Sequence, residues 1–149
     1  MPGGHAQTLY AALLAPRPRV SFVRERWDTP DGDFIDLDWM RPRTVDERNP
    51  LVVLFHGLEG GSTSPYAAAL MAAASELNWR GVVVHFRGCS GEPNRLRRAY
   101  HSGDSGEIDW ILRRLREFNP RAPLYAAGVS LGGNALLKWL GEQRSAANS

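Results

Sequence analysis

Three short apolar runs, each followed by a stretch that suits a helix, constrain the fold of this chain more than any other feature. The runs have the composition of strands buried on both faces, and they are Leu51–Phe55, Gly81–Phe86 and Leu124–Ala127. The helical stretches that follow them are Tyr66–Leu77, the amphipathic segment Ile108–Leu115, and Leu131–Gln143. Strands that alternate with helices predict a mostly parallel sheet with crossover helices, and hence an α/β fold.

A β-hairpin is predicted ahead of these units. Val20–Trp27 suits a strand, Thr29–Gly32 is a cluster of turn residues, and the apolar residues of Ile35–Trp39 alternate with Asp36 and Asp38. This alternation predicts an antiparallel hairpin with one solvent-exposed face. The expected order is therefore a β-hairpin followed by β-α-β-α-β-α, after a polar connector at residues 41–50.

Composition narrows the class of protein. The 149 residues suit one domain, and 43% apolar with 23% charged residues is typical of soluble globular proteins. The single cysteine, Cys89, and the lack of Cys/His spacing for zinc predict no disulfide, no metal and a reducing, cytoplasmic setting. A net charge of +2 does not indicate nucleic-acid binding. No run is long enough to span a membrane, and Leu9–Ala15 does not have the pattern of a signal peptide.

The pentapeptide Gly128–Gly132 matches G-x-S-x-G, the nucleophile elbow. In that motif a tight turn between a strand and a helix exposes the serine hydroxyl, here that of Ser130. The glycines allow the turn to form, and the free N–H groups of the helix N-terminus favour developing negative charge. The pentapeptide recurs by chance in other proteins, but its place between an apolar strand and a helix favours a nucleophile over a plain turn.

The loop His56–Gly60 directly follows the first buried strand, where an acyl-transfer hydrolase needs a backbone N–H for its oxyanion hole. We assign this donor to Leu58 and its partner to the amide of Leu131. A glycine-rich turn without a ligand remains an alternative. Phosphate binding is less well supported, because neither the P-loop nor the dinucleotide-binding glycine pattern occurs.

A base for this serine is not evident. Only Glu142 among acids, and no histidine, follows Ser130, although the motif places an acid and then a histidine after the nucleophile. The four histidines all precede it: His5, His56, His85 and His101. His56 and His85 favour structural roles, and His101, the least constrained, favours a satisfied loop position over a base. Cys89 lacks an activating helix or base, so it is a poor nucleophile candidate. Three clustered arginines favour a solvated segment over an anion site: Arg95, Arg97 and Arg98.

These residues resemble the YheT-like branch of the α/β-hydrolases. The resemblance is carried by seven segments: residues 5–8, 30–34, 56–60, 64–66, 85–94, 100–103 and 128–134. It implies an α/β-hydrolase fold without a cofactor, and a serine carboxylic ester hydrolase that acts on short- or medium-chain esters or acylglycerols. It also implies Ser130 as the nucleophile and the amides of Leu58 and Leu131 as the oxyanion hole.

Members of that branch are about twice as long, so residues 1–149 are expected to form the N-terminal part of a single, truncated hydrolase domain. The later strands, any lid, the acid and the catalytic histidine would lie outside this chain. The alternatives are a catalytically inactive remnant or interaction fragment and, less well supported, a nucleotide-binding module. A sheet that ends at Leu124–Ala127 would leave an apolar edge, which predicts self-association.

Overall fold

A computed structural model describes residues 18–41 and 46–143. Its five strands are β1 (Phe22–Asp28), β2 (Phe34–Met40), β3 (Leu51–Phe55), β4 (Arg80–His85) and β5 (Leu124–Gly128). Its three helices are α1 (Pro65–Glu76), α2 (Ser105–Phe118) and α3 (Leu131–Gln143). The predicted α/β class and the predicted order of elements are confirmed. His5 and Leu9–Ala15 lie outside the described residues, as does part of the connector at 41–50.

The strands form one mixed sheet in the order β1-β2-β4-β3-β5. β1 and β2 form the predicted antiparallel hairpin, and β2 is also antiparallel to β4. β3 lies between β4 and β5 and is parallel to both, with Phe55 aligned to Val84 and Gly128. Parallel strands end at the same edge of a sheet. The loops that follow β3, β4 and β5 are therefore brought together at one edge.

β3 is buried on both faces because helices cover both sides of the sheet. Leu51, Val53 and Phe55 pack in a core with residues of α2 and α3. Val52 and Leu54 point the opposite way, into a second core with residues of α1. The unbroken apolar run is thus explained by side chains that alternate between two cores.

The prediction of a solvent-exposed hairpin face is wrong for β2, although Arg24 and Arg26 on the same face of β1 are exposed. Asp36 and Asp38 are only 1% and 4% exposed, although they occupy the polar positions of β2. Arg26 on β1 binds both carboxylate oxygens of Asp36 at 2.7 and 2.8 Å, and Arg24 binds those of Asp38 at 2.8 and 2.9 Å. The alternation of apolar and polar residues identifies the polar face of β2. It does not show that the neighbouring strand carries arginines that pair with these carboxylates and cover them.

The boundaries of the strands and of α1 differ from the predictions by one or two residues, and α2 extends three residues beyond the predicted segment at each end. β1 begins at Phe22 instead of Val20, and β4 begins and ends one residue before the predicted run. α1 begins with Pro65 after Ser64, as the sequence indicates. The hydroxyl of Ser64 does not cap the helix, because it accepts the amide N–H of Gly61 at 3.1 Å.

β5 is an edge strand of the described sheet, because it pairs with β3 alone. Its residues are half-buried or exposed, and Tyr125 is 49% exposed. Leu137 and Leu140 of the following helix are also exposed, at 69% and 41%. The predicted apolar edge is therefore present in the described part of the chain.

Candidate active site

Ser130 lies on the turn between β5 and α3, at the edge where the parallel strands end. Its φ is +51°, in the left-handed region that non-glycine residues seldom adopt. The turn is held on both sides, since the amide of Val129 donates to Phe55 O at 3.0 Å and that of Gly132 to Val129 O at 3.0 Å. The Ser130 side chain is exposed. The arrangement is a strained turn that presents one hydroxyl, as the G-x-S-x-G pattern predicts.

Two glycines of the pentapeptide are required by close packing. A Cβ atom on Gly128 would lie 2.6 Å from the Cα of Gly133, so β5 and α3 could not meet at this turn. A Cβ atom on Gly132 would overlap Phe55 O and lie 2.6 Å from His56 O. Both positions therefore need glycine because backbone approaches backbone.

The loop after β3 reaches the turn that carries Ser130. A Cβ atom built on Gly57 would lie 3.4 Å from the Cβ of Ser130 and 3.4 Å from Val129 O. Leu58, the next residue, is 70% exposed. Among the described residues no backbone or side-chain acceptor is bonded to the amide of Leu58 or to that of Leu131, the first residue of α3. The structure thus brings the three residues of the predicted site to one edge of the sheet.

His56 is a structural residue, as the sequence indicates. Its ring is fully buried, and its Nε2 accepts the amide N–H of Phe86 at 3.1 Å. Its Nδ1 therefore carries the proton and donates to Gly57 O at 2.6 Å. Burial lowers the pKa of His56, a shift that its bond to Gly57 opposes and the nearby His85 reinforces. The neutral ring thus has neither nitrogen free to accept a proton from Ser130.

His85 is also engaged, in a buried cluster behind the same loop. Its Nε2 lies 2.8 Å from Asp38 Oδ2 and its Nδ1 3.2 Å from Cys89 O. The hydroxyl of Ser62 donates to the same Asp38 oxygen at 2.5 Å. Burial alone would raise the pKa of Asp38, but hydrogen bonds from His85, Arg24 and Ser62 hold it well below its usual range. Ser62 and His85 share one carboxylate and do not bond each other, so they are not a second nucleophile and base.

The remaining candidate groups lie in local contacts. His101 is exposed, and its Nδ1 accepts the amide N–H of Gly103 at 3.1 Å. Glu142 pairs with Lys138 near the end of α3, and this bond lowers the pKa of Glu142. Burial raises the pKa of the Cys89 thiol, an effect that the Tyr100 hydroxyl only partly offsets. A thiol with a raised pKa is a weak nucleophile at neutral pH.

The arginine cluster after β4 is solvent-exposed, as the sequence favours, although two of its three members form ion pairs. Arg95 pairs with Asp28 at 2.7 Å, and Arg98 pairs with Asp104 at 2.8 Å. Arg97 is exposed. Two of the three arginines therefore tie the loop to its own chain, which residue counts alone could not show.

A buried ion-pair network is the main feature of this edge that the sequence analysis missed. Arg87 bonds Glu107 at 2.8 Å, Asp33 at 2.9 Å and Asp31 at 3.1 Å, and its side chain is 3% exposed. Asp33 also accepts the amides of Phe34 and Arg95 at 2.9 Å. The sequence contained one indication of this network, because Arg87 directly follows the predicted buried strand Gly81–Phe86. The network binds the hairpin turn to the loop after β4 and to α2.

No group of three or more potential metal-ligating side chains occurs within residues 18–41 and 46–143. Among the helices of these segments, none is long and apolar enough to cross a membrane.

The family model of the alpha/beta hydrolase fold matches residues 50–147, from just before β3 through α3. The chain belongs to the α/β-hydrolase family. YheT of Escherichia coli (strain K12), which is named as an esterase, is 47% identical over 132 residues. Human ABHD3, which is named as a phospholipase, is 32% identical over 144 residues. The resemblance to YheT-like α/β-hydrolases is therefore confirmed.

The matches cover most of this chain and a smaller part of each relative. They include 89% of this chain but 39% of YheT, and 93% of this chain but 35% of ABHD3. Solved α/β-hydrolases share the fold. XC6422 from Xanthomonas campestris, a serine hydrolase without a lid, has a TM-score of 0.67 at 20% identity over 86% of this chain and 59% of its own. Est1E from Butyrivibrio proteoclasticus, with ferulic acid bound, has a TM-score of 0.68 at 17% identity over 80% of this chain and 48% of its own.

Proposed function

We propose that this chain carries the nucleophile and the oxyanion hole of a serine carboxylic ester hydrolase, as the N-terminal part of the whole enzyme. Ser130 is the nucleophile, and the backbone amides of Leu58 and Leu131 bind the oxyanion. The observation that carries the proposal is the left-handed φ of +51° at Ser130, on a turn that adjoins the loop after β3. Such strain persists only where the surrounding structure enforces it, and it is typical of functional sites.

The chemistry follows from this geometry. Ser130 Oγ adds to the ester carbonyl carbon while its proton passes to a base, and the carbonyl oxygen becomes an oxyanion. The Leu58 and Leu131 amides stabilise that charge. Collapse of the intermediate breaks the ester C–O bond, and the alcohol leaves with the proton. Water then attacks the acyl-serine in the same way and releases the carboxylic acid.

The base and the acid that orients it come from residues outside this chain. The described histidines all bond other groups, and a serine hydroxyl without a base stays protonated at neutral pH. We therefore expect negligible turnover from the 149-residue chain alone. An inactive remnant or interaction fragment is the second candidate, and the engagement of all three described histidines favours it for the isolated chain.

The proposed substrates are small esters and acylglycerols. An esterase name for YheT and a phospholipase name for human ABHD3 support cleavage of an acyl ester, and no cofactor is required for this chemistry.

Hydrolysis of 4-nitrophenyl butyrate tests the missing base. We expect the wild-type chain and Ser130→Ala to hydrolyse the ester at the same background rate. Robust hydrolysis that is lost in Ser130→Ala would mean that one of the chain's own histidines acts as base.

Sequencing the source DNA beyond the codon for Ser149 separates the two candidates. A continuing frame with further strand-helix units, an Asp and a late His supports the enzyme, and a stop without such a frame supports the remnant.

We also propose that the isolated chain self-associates, with a second copy of the chain at the β5 edge. The side of β5 away from β3 is unpaired in the described sheet, and Tyr125, Leu137 and Leu140 leave apolar surface beside it. Unpaired strand edges of this kind promote pairing between chains. Light scattering at micromolar concentration should show dimers or larger species, and a clean monomer would contradict this proposal.

A further inference from the structure

The turn after β3 uses nearly all of its backbone amides internally. The amide of Gly57 donates to the hydroxyl of Tyr66 at 3.0 Å, and that of Glu59 to the hydroxyl of Tyr100 at 2.9 Å. The amide of Gly60 donates to Gly57 O at 3.0 Å. Among the four amides from Gly57 to Gly60, that of Leu58 has no acceptor within the described residues. Two tyrosine hydroxyls thus bracket the free donor.

Tyr66 reaches the turn from the first turn of α1. Its ring packs against the core beneath that helix, which fixes the direction of the hydroxyl. The hydroxyl occupies the space that a side chain on Gly60 would need, since a Cβ atom there would overlap Tyr66 Oη. The glycine and the tyrosine are therefore one fitted pair, and the hydrogen bond to Gly57 is a consequence of that fit.

Tyr100 comes from the long loop after β4, 41 residues beyond Glu59. Its ring stacks on Phe86 with 5.3 Å between centroids and 1° between planes, and the His56 ring meets it edge-on at 6.5 Å. This aromatic packing fixes the ring, and with it the position of the oxygen that accepts the Glu59 amide.

Glu59 itself needs such support. Its φ is +51°, so the residue directly after Leu58 is held in the left-handed region. A non-glycine residue in that conformation stores strain and relaxes where its neighbours allow it. Relaxation of Glu59 would rotate the peptide that follows Leu58 and would let the free amide turn away or bond within the loop.

We propose that Tyr66 and Tyr100 are positioning residues, whose hydroxyls hold the turn so that the Leu58 amide remains available to the substrate oxyanion. This role rests on the proposed function of Ser130 and Leu58. The tyrosines act through the backbone and do not contact the reacting atoms. Preorganised donors are effective because they need no rearrangement as charge develops, and that is what the two hydroxyls supply.

The test uses the 149-residue chain, with Tyr66→Phe and Tyr100→Phe as variants and Tyr125→Phe as the matched control. Tyr125 lies on the edge strand β5 and stacks on Trp79, and no side-chain hydrogen bond of its hydroxyl occurs among the described residues. Phenylalanine keeps each ring and removes only the hydroxyl. Circular dichroism and thermal unfolding establish that each variant is folded.

Amide hydrogen exchange, read by NMR on the ¹⁵N-labelled chain, is the first measurement. In the wild-type chain the Gly57 and Glu59 amides should be protected and the Leu58 amide should exchange rapidly. Tyr66→Phe should reduce the protection of Gly57, and Tyr100→Phe that of Glu59, each by about tenfold. The control should change neither amide. Unchanged protection of both amides in the two variants would overturn the proposal.

The second measurement is the rate at which an alkyl fluorophosphonate modifies Ser130 at alkaline pH, followed by peptide mass spectrometry. Hydroxide replaces the missing base, and phosphorus–oxygen bond formation at Ser130 expels fluoride. Burial raises the pKa of Tyr100, which keeps its hydroxyl protonated further into the alkaline range. Each tyrosine variant should react about tenfold more slowly than wild type, a part of the ~100- to 1,000-fold that loss of an entire oxyanion donor costs. The control should match wild type.

The outcomes separate the two proposals. If wild-type Ser130 is not modified in preference to other serines, the proposed function fails and the positioning role falls with it. If wild type is modified and the variants react equally fast although their amides exchange faster, only the positioning role is refuted. Slower modification together with lost protection, in both variants and not in Tyr125→Phe, supports it.

Discussion

Replacement of Gly132 by alanine tests how the nucleophile turn is built. Gly132 lies in the first turn of α3, and an added Cβ atom would overlap Phe55 O and lie 2.6 Å from His56 O. Both contacts are with backbone at the end of β3, so no side chain can rotate away. Because the φ of Gly132 is not positive, the expected cost comes from space alone, not from backbone strain.

Gly141 in the same helix is the matched control. Nothing lies within 4 Å of a Cβ atom built there. Alanine in a helix interior is favoured over glycine by roughly 1 kcal/mol, so Gly141→Ala should raise the free energy of unfolding by up to that amount. Gly132→Ala gains the same propensity but loses about 1–3 kcal/mol to overpacking, and the backbone contacts favour the upper end. The two variants should therefore differ by about 2–3 kcal/mol.

Urea unfolding, followed by circular dichroism, measures this difference. The urea concentration at the midpoint of unfolding reports it, provided that the free energy of unfolding falls with urea at the same slope in both variants. In a thermal scan the same difference corresponds to roughly 2–4 °C per kcal/mol for a chain of this size. Gly132→Ala should unfold at the lower urea concentration and the lower temperature. If the two variants are equally stable, β3 and α3 do not approach as closely as the structure indicates, and the packing argument for the G-x-S-x-G glycines is refuted.

Three further predictions concern buried polar groups. Arg87→Ala should lower the free energy of unfolding, measured by urea unfolding, by about 3–5 kcal/mol, because it leaves Glu107 and Asp33 buried without their cation. Arg97→Ala, at an exposed position, should be near neutral, and equal effects of the two substitutions would contradict the role of the network. The free energy of unfolding should fall as the pH drops below about 5, because the low pKa of Asp38 favours the carboxylate in the folded chain and protonation therefore favours the unfolded chain. Urea midpoints measured over a pH series should depend less on pH below about 5 in Asp38→Asn than in wild type, and an unchanged dependence would refute the role of Asp38. The Cys89 thiol should react with iodoacetamide at pH 7 more slowly than glutathione, since burial raises its pKa; a faster reaction would mean an activated thiolate.

Sequence patterns predicted the secondary structure well because each pattern has a local cause. The apolar run Leu51–Phe55 required a strand buried on two faces, and Ser64 followed by Pro65 marked the start of α1. The tight turn at Ser130 was predictable for a similar reason, since Gly128 and Gly132 are needed where backbone meets backbone. These features depend on a few neighbouring residues, so they are readable along the chain.

Contacts between distant residues were not predictable in this way. Asp36 and Asp38 were expected on an exposed face, and only the pairing of β1 with β2 showed that Arg26 and Arg24 cover them. The roles of Tyr66 and Tyr100 were invisible for the same reason. Tyr100 lies 41 residues from the amide that it accepts, and nothing local to either residue indicates the bond.

The sequence by itself determined the order of strands and helices, the place of Ser130 after the fifth strand, and the families of proteins that the chain resembles. Periodicity and glycine placement act over a few residues, and that is the range over which a pattern can be read. Tertiary structure decided which loops meet and which polar groups are buried. It joined β3 to both β4 and β5 in parallel, and this register places Gly57 beside Ser130 and leaves the amide of Leu58 free between two tyrosine hydroxyls.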